Sequence, residues 1–347
     1  MAGLRSVDRP GRPWRRVRRG SSAASPPPPL RSCSRALAFL LVCLALGSGV
    51  ARAQTRDGDG FLPKKQVVRR ALQSDPGQEY FVYVPSTGGR GAAMFVAVHG
   101  LSRNAEVQAN WFASYCETYA VVLVAPLFDT EAYPDYQRLG RVGLGGRADV
   151  VLDSIVAEVA ALTGAAAKKI YLFGFSGGAQ FAHRYLMAHP QQVARAVVAS
   201  AGWYTFPDAR TGFPYGIGPS PDLPGVRFDA AEFLRVPITV VVGEQDTTGK
   251  SLRRNAHVDR QQGITRIERA RNWVAAMRTA AAAQGLESRI AFEPVADMDH
   301  SFQRFMQEGK LGDRVFAALF GVQPDGASNA AAGAAPGRAP QPVGGAR

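Results

Sequence analysis

Short, continuously apolar runs alternate with longer segments of helical spacing through the middle of this chain. Residues 80–84, 94–98, 121–125, 170–173, 196–200 and 238–242 are four or five residues each, and most contain no polar side chain. Runs that short and that uniformly apolar suit strands covered on both faces, as in a parallel sheet. Segments 148–162, 179–188, 267–283 and 302–319 instead repeat apolar residues at helical spacing. This alternation predicts an α/β fold with an open, mostly parallel central sheet and helices on both faces.

The two ends read differently from this middle. Residues 1–53 hold ten Arg and one acid, Asp8, then an uncharged stretch from Ala36, then Ala51-Arg52-Ala53. Basic region, apolar core and A-x-A site, in that order, predict a secretory signal peptide cleaved after Ala53, with export to the periplasm or the medium. The 16 uncharged residues 36–51 fall short of the roughly 20 needed to span a bilayer, so no stable membrane anchor is expected. Cleavage would remove Cys33 and Cys43 and leave Cys116, set among Trp111, Phe112 and Tyr115, as a packing thiol. The last 25 residues, 323–347, carry eight Ala, five Gly and four Pro, a composition that cannot repay its ordering entropy and predicts a disordered tail. What remains, residues 54–322, shows no internal repeat and reads as one catalytic domain.

Charge changes the picture only until it is placed. The net +13 of the 347-residue chain sits mostly in its first 53 residues, and residues 54–322 carry 29 basic against 26 acidic side chains. A nucleic-acid partner is therefore not expected.

The chemistry concentrates at Gly174-Phe175-Ser176-Gly177-Gly178. It follows the strand 170–173 directly and leads into the helix at 179, which is the setting a nucleophilic serine on a tight strand-to-helix turn requires. Such a serine needs a base and an orienting acid downstream, each just past a strand. Asp246 follows 238–242, with Glu244 as the second choice of acid, and His300 follows 290–292. His99-Gly100-Leu101, at the end of 94–98, stands where an oxyanion loop belongs; the amides of Leu101 and Gly177 are the candidate donors and His99 a loop-fixing residue. No Cys/His/Asp/Glu cluster has ligand spacing, so neither a metal nor an organic cofactor is expected.

Residues 203–233 form an irregular insertion with seven aromatic residues and nine Gly or Pro. Long irregular loops in compact domains are usually functional. Trp203, Tyr204 and Phe206 are the candidate substrate-binding residues, with packing of the loop onto the body as the competing role.

From about residue 80 to residue 320 the chain resembles the α/β-hydrolases, and among them the secreted poly(3-hydroxybutyrate) depolymerase and feruloyl-esterase-like serine esterases. The resemblance is carried by His99-Gly100 with Asn104-Ala105-Glu106, by the strand 121–126, and by the Ser176 motif, Asp246-Thr247 and His300. It implies Ser176 as nucleophile, Asp246 as acid and His300 as base in an exported esterase acting on a small-molecule or oligomeric ester. Two positions depart from that pattern, since Leu101 stands where the depolymerases usually have Cys and Gly177 where they usually have Ala. A serine peptidase, a thioesterase or an inactive binding protein would share these features, and nothing in the sequence sets an oligomeric state.

Overall fold

The computed structural model describes residues 62–248 and 252–321. The expected signal peptide (1–53) and tail (323–347) lie outside them.

The described chain opens with a hairpin, β1 (Val67–Leu72) and β2 (Asp75–Tyr83), and continues through β3 (Ala93–Val98), α1 (Ala105–Thr118), β4 (Val122–Leu127) and α2 (Ala148–Thr163). Then come β5 (Ala166–Phe175), α3 (Gly177–Ala188), β6 (Val193–Ala199), the short α4 (Ala230–Phe233) and β7 (Ile238–Gly243). The chain ends with α5 (Ala256–Gln262), α6 (Arg266–Ala283), β8 (Ile290–Val295), α7 (Phe302–Gln307) and α8 (Leu311–Phe320). The strands build one sheet in the order β1-β2-β4-β3-β5-β6-β7-β8. β2 runs antiparallel to both its neighbours, and every pair from β4–β3 to β7–β8 is parallel.

Strand residues alternate between the two faces, and the packing follows. Met94, Val96 and Val98 of β3 join a core with α2, α3 and α6, while Phe95 and Ala97 join a second with α1 and α8. Both faces are thus dry, which explains why the sequence runs are continuously apolar rather than alternating. In the second core Phe112 packs edge-on against Phe95 (5.2 Å) and Phe173 (5.0 Å). Cys116 is buried in the same cluster, and burial raises its thiol pKa well above the ordinary value.

The single helix expected over 302–319 is two. Gly309 and Lys310 part α7 from α8, Lys310 taking a left-handed conformation (φ 50°) that no helix continues through. Four elements lay outside the sequence reading: β1, α1, the short α4 and α5. Helix α6 starts on a capping box in which the Thr265 hydroxyl accepts from the Glu268 amide and the Glu268 carboxylate accepts from the Thr265 amide.

Candidate active site

β5 ends at Phe175 and α3 begins at Gly177, so Ser176 alone makes the turn, at φ 56° and ψ −111°. A positive φ is uncommon for a residue with a side chain and persists only where the surroundings enforce it. Here the Ser176 amide donates to the Ala199 carbonyl (2.9 Å), and its carbonyl accepts from the Gln180 amide (3.1 Å). The flanking glycines allow the close approach. A β-carbon on Gly174 would lie 2.1 Å from the Gly178 carbonyl oxygen, and one on Gly178 would lie 2.0 Å from that of Val98. Any side chain at either position would push α3 off the sheet.

The loops after β7 and β8 bring Asp246 and His300 to this serine. His300 Nε2 is 2.9 Å from Ser176 Oγ, and His300 Nδ1 is 2.8 Å from Asp246 Oδ2. A carboxylate only accepts, so Nδ1 carries the ring proton and Nε2 faces the hydroxyl as an acceptor. The other Asp246 oxygen accepts from Arg266 Nη1 at 3.0 Å, with both side chains buried. Removing one partner of a buried ion pair typically costs about 3–5 kcal/mol, so Arg266 fixes where the carboxylate can sit. Glu244 is exposed and is not the carboxylate on His300. The two loops are stitched together, for the Gln245 amide donates to Met298 O (3.0 Å) and the Glu244 amide to Val295 O (3.0 Å). Phe175 stacks on the His300 ring, with centroids 5.3 Å apart.

His99 pins the loop after β3. It is fully buried; its Nδ1 is 2.8 Å from Gly100 O, and its Nε2 accepts from the Phe128 amide at 3.0 Å. Burial lowers its pKa to about 4, keeping the ring neutral as those two bonds require. The Tyr136 hydroxyl donates to His99 O at 2.9 Å. Leu101 follows on this loop, its side chain 3.1 Å from where a Gly177 β-carbon would stand. Gly177 opens α3, so its amide has no carbonyl a turn earlier to bond, and the helix N-terminus adds a partial positive charge beside Ser176. The loop of Gly100 and Leu101 thus lies against the start of α3, beside Ser176 and Gly177.

Over Ser176 lies a cleft of about 830 Å³ lined by both apolar and polar groups, among them Leu101, Gln137, Gln180, Trp203, Arg253 and Phe302. Of the three aromatic candidates from the insertion, only Trp203 lines it. Tyr204 is stacked on Trp273 (4.7 Å) beneath the surface, and Phe206 packs in the core beside α3 and α6. Phe213 stacks on Phe228, so most of these rings seal the insertion to the body. His183 serves the same end: its Nδ1 is 2.9 Å from Ala179 O and its Nε2 accepts from the Thr205 amide at 3.0 Å. Arg266, Tyr136 and Gln180 were not legible as site residues, because no local motif marks them. Among the described residues no group of three His, Cys, Asp or Glu is placed to hold a metal ion.

No protein-family model and no curated protein matches the chain. Solved structures do. Poly(aspartic acid) hydrolase-1 from Sphingomonas sp. KT-1 superposes with a TM-score of 0.60 at 24% identity, over 69% of this chain and 93% of that one. LpqC, a poly(3-hydroxybutyrate) depolymerase from Bordetella parapertussis, gives 0.62 at 24% identity, over 75% and 91%. A ferulic acid esterase gives 0.50 at 13% identity, over 73% and 98%. Sheet order, the single reversed strand β2 and these superpositions agree: the chain has the α/β-hydrolase fold.

Proposed function

We propose that the chain is an exported serine hydrolase that cleaves carboxylic esters through an acyl-enzyme. The observation that carries this reading is the continuous contact from Ser176 Oγ through His300 to Asp246, with Arg266 behind the carboxylate. Ser176 Oγ attacks the ester carbonyl carbon while its proton passes to His300 Nε2, and Asp246 stabilises the imidazolium. The Leu101 and Gly177 amides hold the carbonyl oxygen as it becomes negative. Collapse breaks the bond to the alcohol oxygen, which leaves with the proton from His300. Water then gives a proton to His300, attacks the acyl carbon and releases the acid and free Ser176.

The solved structures named as a depolymerase, a poly(aspartic acid) hydrolase and a ferulic acid esterase support a hydrolytic role, and the first and last of these names fit an oligomeric or aryl ester. Export rests on the basic, apolar and A-x-A order of residues 1–53.

The test is pre-steady-state hydrolysis of p-nitrophenyl acetate, butyrate and octanoate by the protein and by its Ser176→Ala variant. A burst of one p-nitrophenol per active site is expected, abolished in the variant while its circular dichroism is unchanged. Turnover in Ser176→Ala near that of the parent removes the assignment, and so does inertness of the parent toward every ester.

A further inference from the structure

Three guanidinium groups gather around the Trp203 ring at the cleft wall: Arg184 at 4.2 Å from its centroid, Arg138 at 5.5 Å and Arg253 at 5.6 Å. Arg184 is fully buried. Its bonds go only to neutral oxygens, namely Thr205 Oγ1 and the carbonyls of Gln137 and Gln180, and its Nη2 has no partner. Arg138 is nearly buried, and its closest carboxylate, Asp135, stands 4.0 Å away while lying 2.9 Å from Arg141. Arg253 has no carboxylate partner among the described residues and lines the cleft itself. Burial and the proximity of Arg138 and Arg253 all work against the charge on Arg184. Among the described residues the cleft lining contains no Asp or Glu, and the Arg266 guanidinium that also lines it is paired with Asp246.

Desolvated cations are expensive unless paired, and an aromatic face compensates them only in part. A cluster of this kind, sharing the cleft of the serine–histidine pair and holding one carboxylate, Asp135, for three guanidinium groups, is a receptor for an anion that arrives with the ligand. We propose that the Trp203 wall is a carboxylate subsite, so that the preferred substrate is an ester bearing a free carboxylate, met by Arg253 with Arg138 and Arg184 behind it. This rests on the ester-hydrolase reading for the word substrate, but the anion site itself does not.

Two substrate pairs read the site. Mono-p-nitrophenyl glutarate against p-nitrophenyl pentanoate places the charge on the acyl side, and 4-acetoxybutanoate against pentyl acetate places it on the alcohol side. One pair is expected to favour its anionic member in kcat/KM by roughly tenfold or more, mainly through KM, as charge-assisted hydrogen bonds do. Adding salt to about 0.5 M should shrink the ratio, because the charge that meets the carboxylate, on Arg253, is exposed. The variant Arg253→Gln, at an exposed position that leaves the core intact, should bring the ratio toward one, whereas Arg253→Lys should keep most of it. Calorimetric titration of Ser176→Ala with glutarate, beside neutral glutaramide, reads binding without turnover. Ester cleavage with both ratios near one and no glutarate binding overturns the subsite and leaves the hydrolase reading standing. A preference that survives Arg253→Gln overturns its assignment to this wall. Glutarate binding to Ser176→Ala by a protein that cleaves none of the four esters keeps the subsite and discards the ester reading.

Discussion

Gly177 has no side chain, and the place its β-carbon would take lies 2.6 Å from the Tyr136 hydroxyl and 3.1 Å from the Leu101 side chain. The Tyr136 hydroxyl takes up this space and donates to His99 O. Gly177→Ala therefore forces the helix start, Leu101 or Tyr136 to move, and overpacking of this kind costs about 1–3 kcal/mol. Tyr136→Phe removes the oxygen at the expense of one buried hydrogen bond, about 1 kcal/mol. The expected result is non-additivity: urea unfolding of the double variant should show less destabilisation than the two single losses together, with part of the kcat lost in Gly177→Ala recovered. Strict additivity would mean that the methyl group is accommodated elsewhere. Arg266 makes the same point about what a sequence hides. Nothing local to Thr265-Arg266-Ile267 marks the first residue of a capped helix as the partner of an aspartate twenty positions earlier.

Two of the irregular loops are held in part by buried histidines. His99 ties the end of β3 to Phe128, and His183 ties α3 to Thr205 of the insertion. Both pKa values fall below the ordinary 6.5, His99 to about 4, and burial is the largest cause in each. Below about pH 6.5 the unfolded chain takes up protons that the folded one refuses, so this stability is complete above that pH and is lost as the pH falls toward 4. For His99 the slope is about 1.4 kcal/mol per pH unit across that window. Thermal unfolding from pH 8 to 4 should therefore show a flat Tm at the alkaline end and a steep fall on the acid side. A Tm that holds from pH 7 to 4.5 would mean that these rings titrate freely in the fold. The elements that sequence patterns missed fail for local reasons. α1 mixes Asn104, Glu106, Gln108 and Asn110 with Trp111 and Phe112, and only Ala105, Gln108, Ala109, Phe112 and Cys116 of it are buried, a narrow stripe. β1 alternates as an edge strand with one face exposed at Arg69 and Ala71.

The molecule as a whole was legible where both sides of an element are dry and where chemistry follows chain order. Five of the six apolar runs locate β3 to β7 because parallel strands buried on two faces have no polar positions to blur them, and the sixth, 80–84, falls on the antiparallel β2. Ser176, Asp246 and His300 could be named from the chain because each follows a strand in a fixed sequence of roles, and the structure brings the three side chains within bonding distance of one another. The cleft wall could not be read in this way. Trp203, Arg138, Arg184 and Arg253 come from four separate segments, and only folding collects them. Nor could the depth of the insertion's rings be told from composition: Trp203 reaches the cleft while Tyr204, its neighbour, lies stacked under the surface.

His300 follows β8, and β8 is the last strand of the sheet, paired with β7 alone. Its sequence includes Pro294, which offers no amide to a ladder, whereas Ser176 sits on β5, flanked by β3 and β6. Ser176 thus follows a strand paired on both sides and His300 a strand paired on one, and an edge strand opens at lower cost than a central one. Catalysis and foldedness should consequently part company under mild stress. At low urea, ester turnover should decline before the fluorescence of buried Trp273 changes, and amides of Ile290–Val295 should exchange with deuterium sooner than those of Ala93–Val98. Coincident loss of turnover and fluorescence would instead show that β8 opens only with the whole sheet, so that the proposed activity is lost in a single cooperative step.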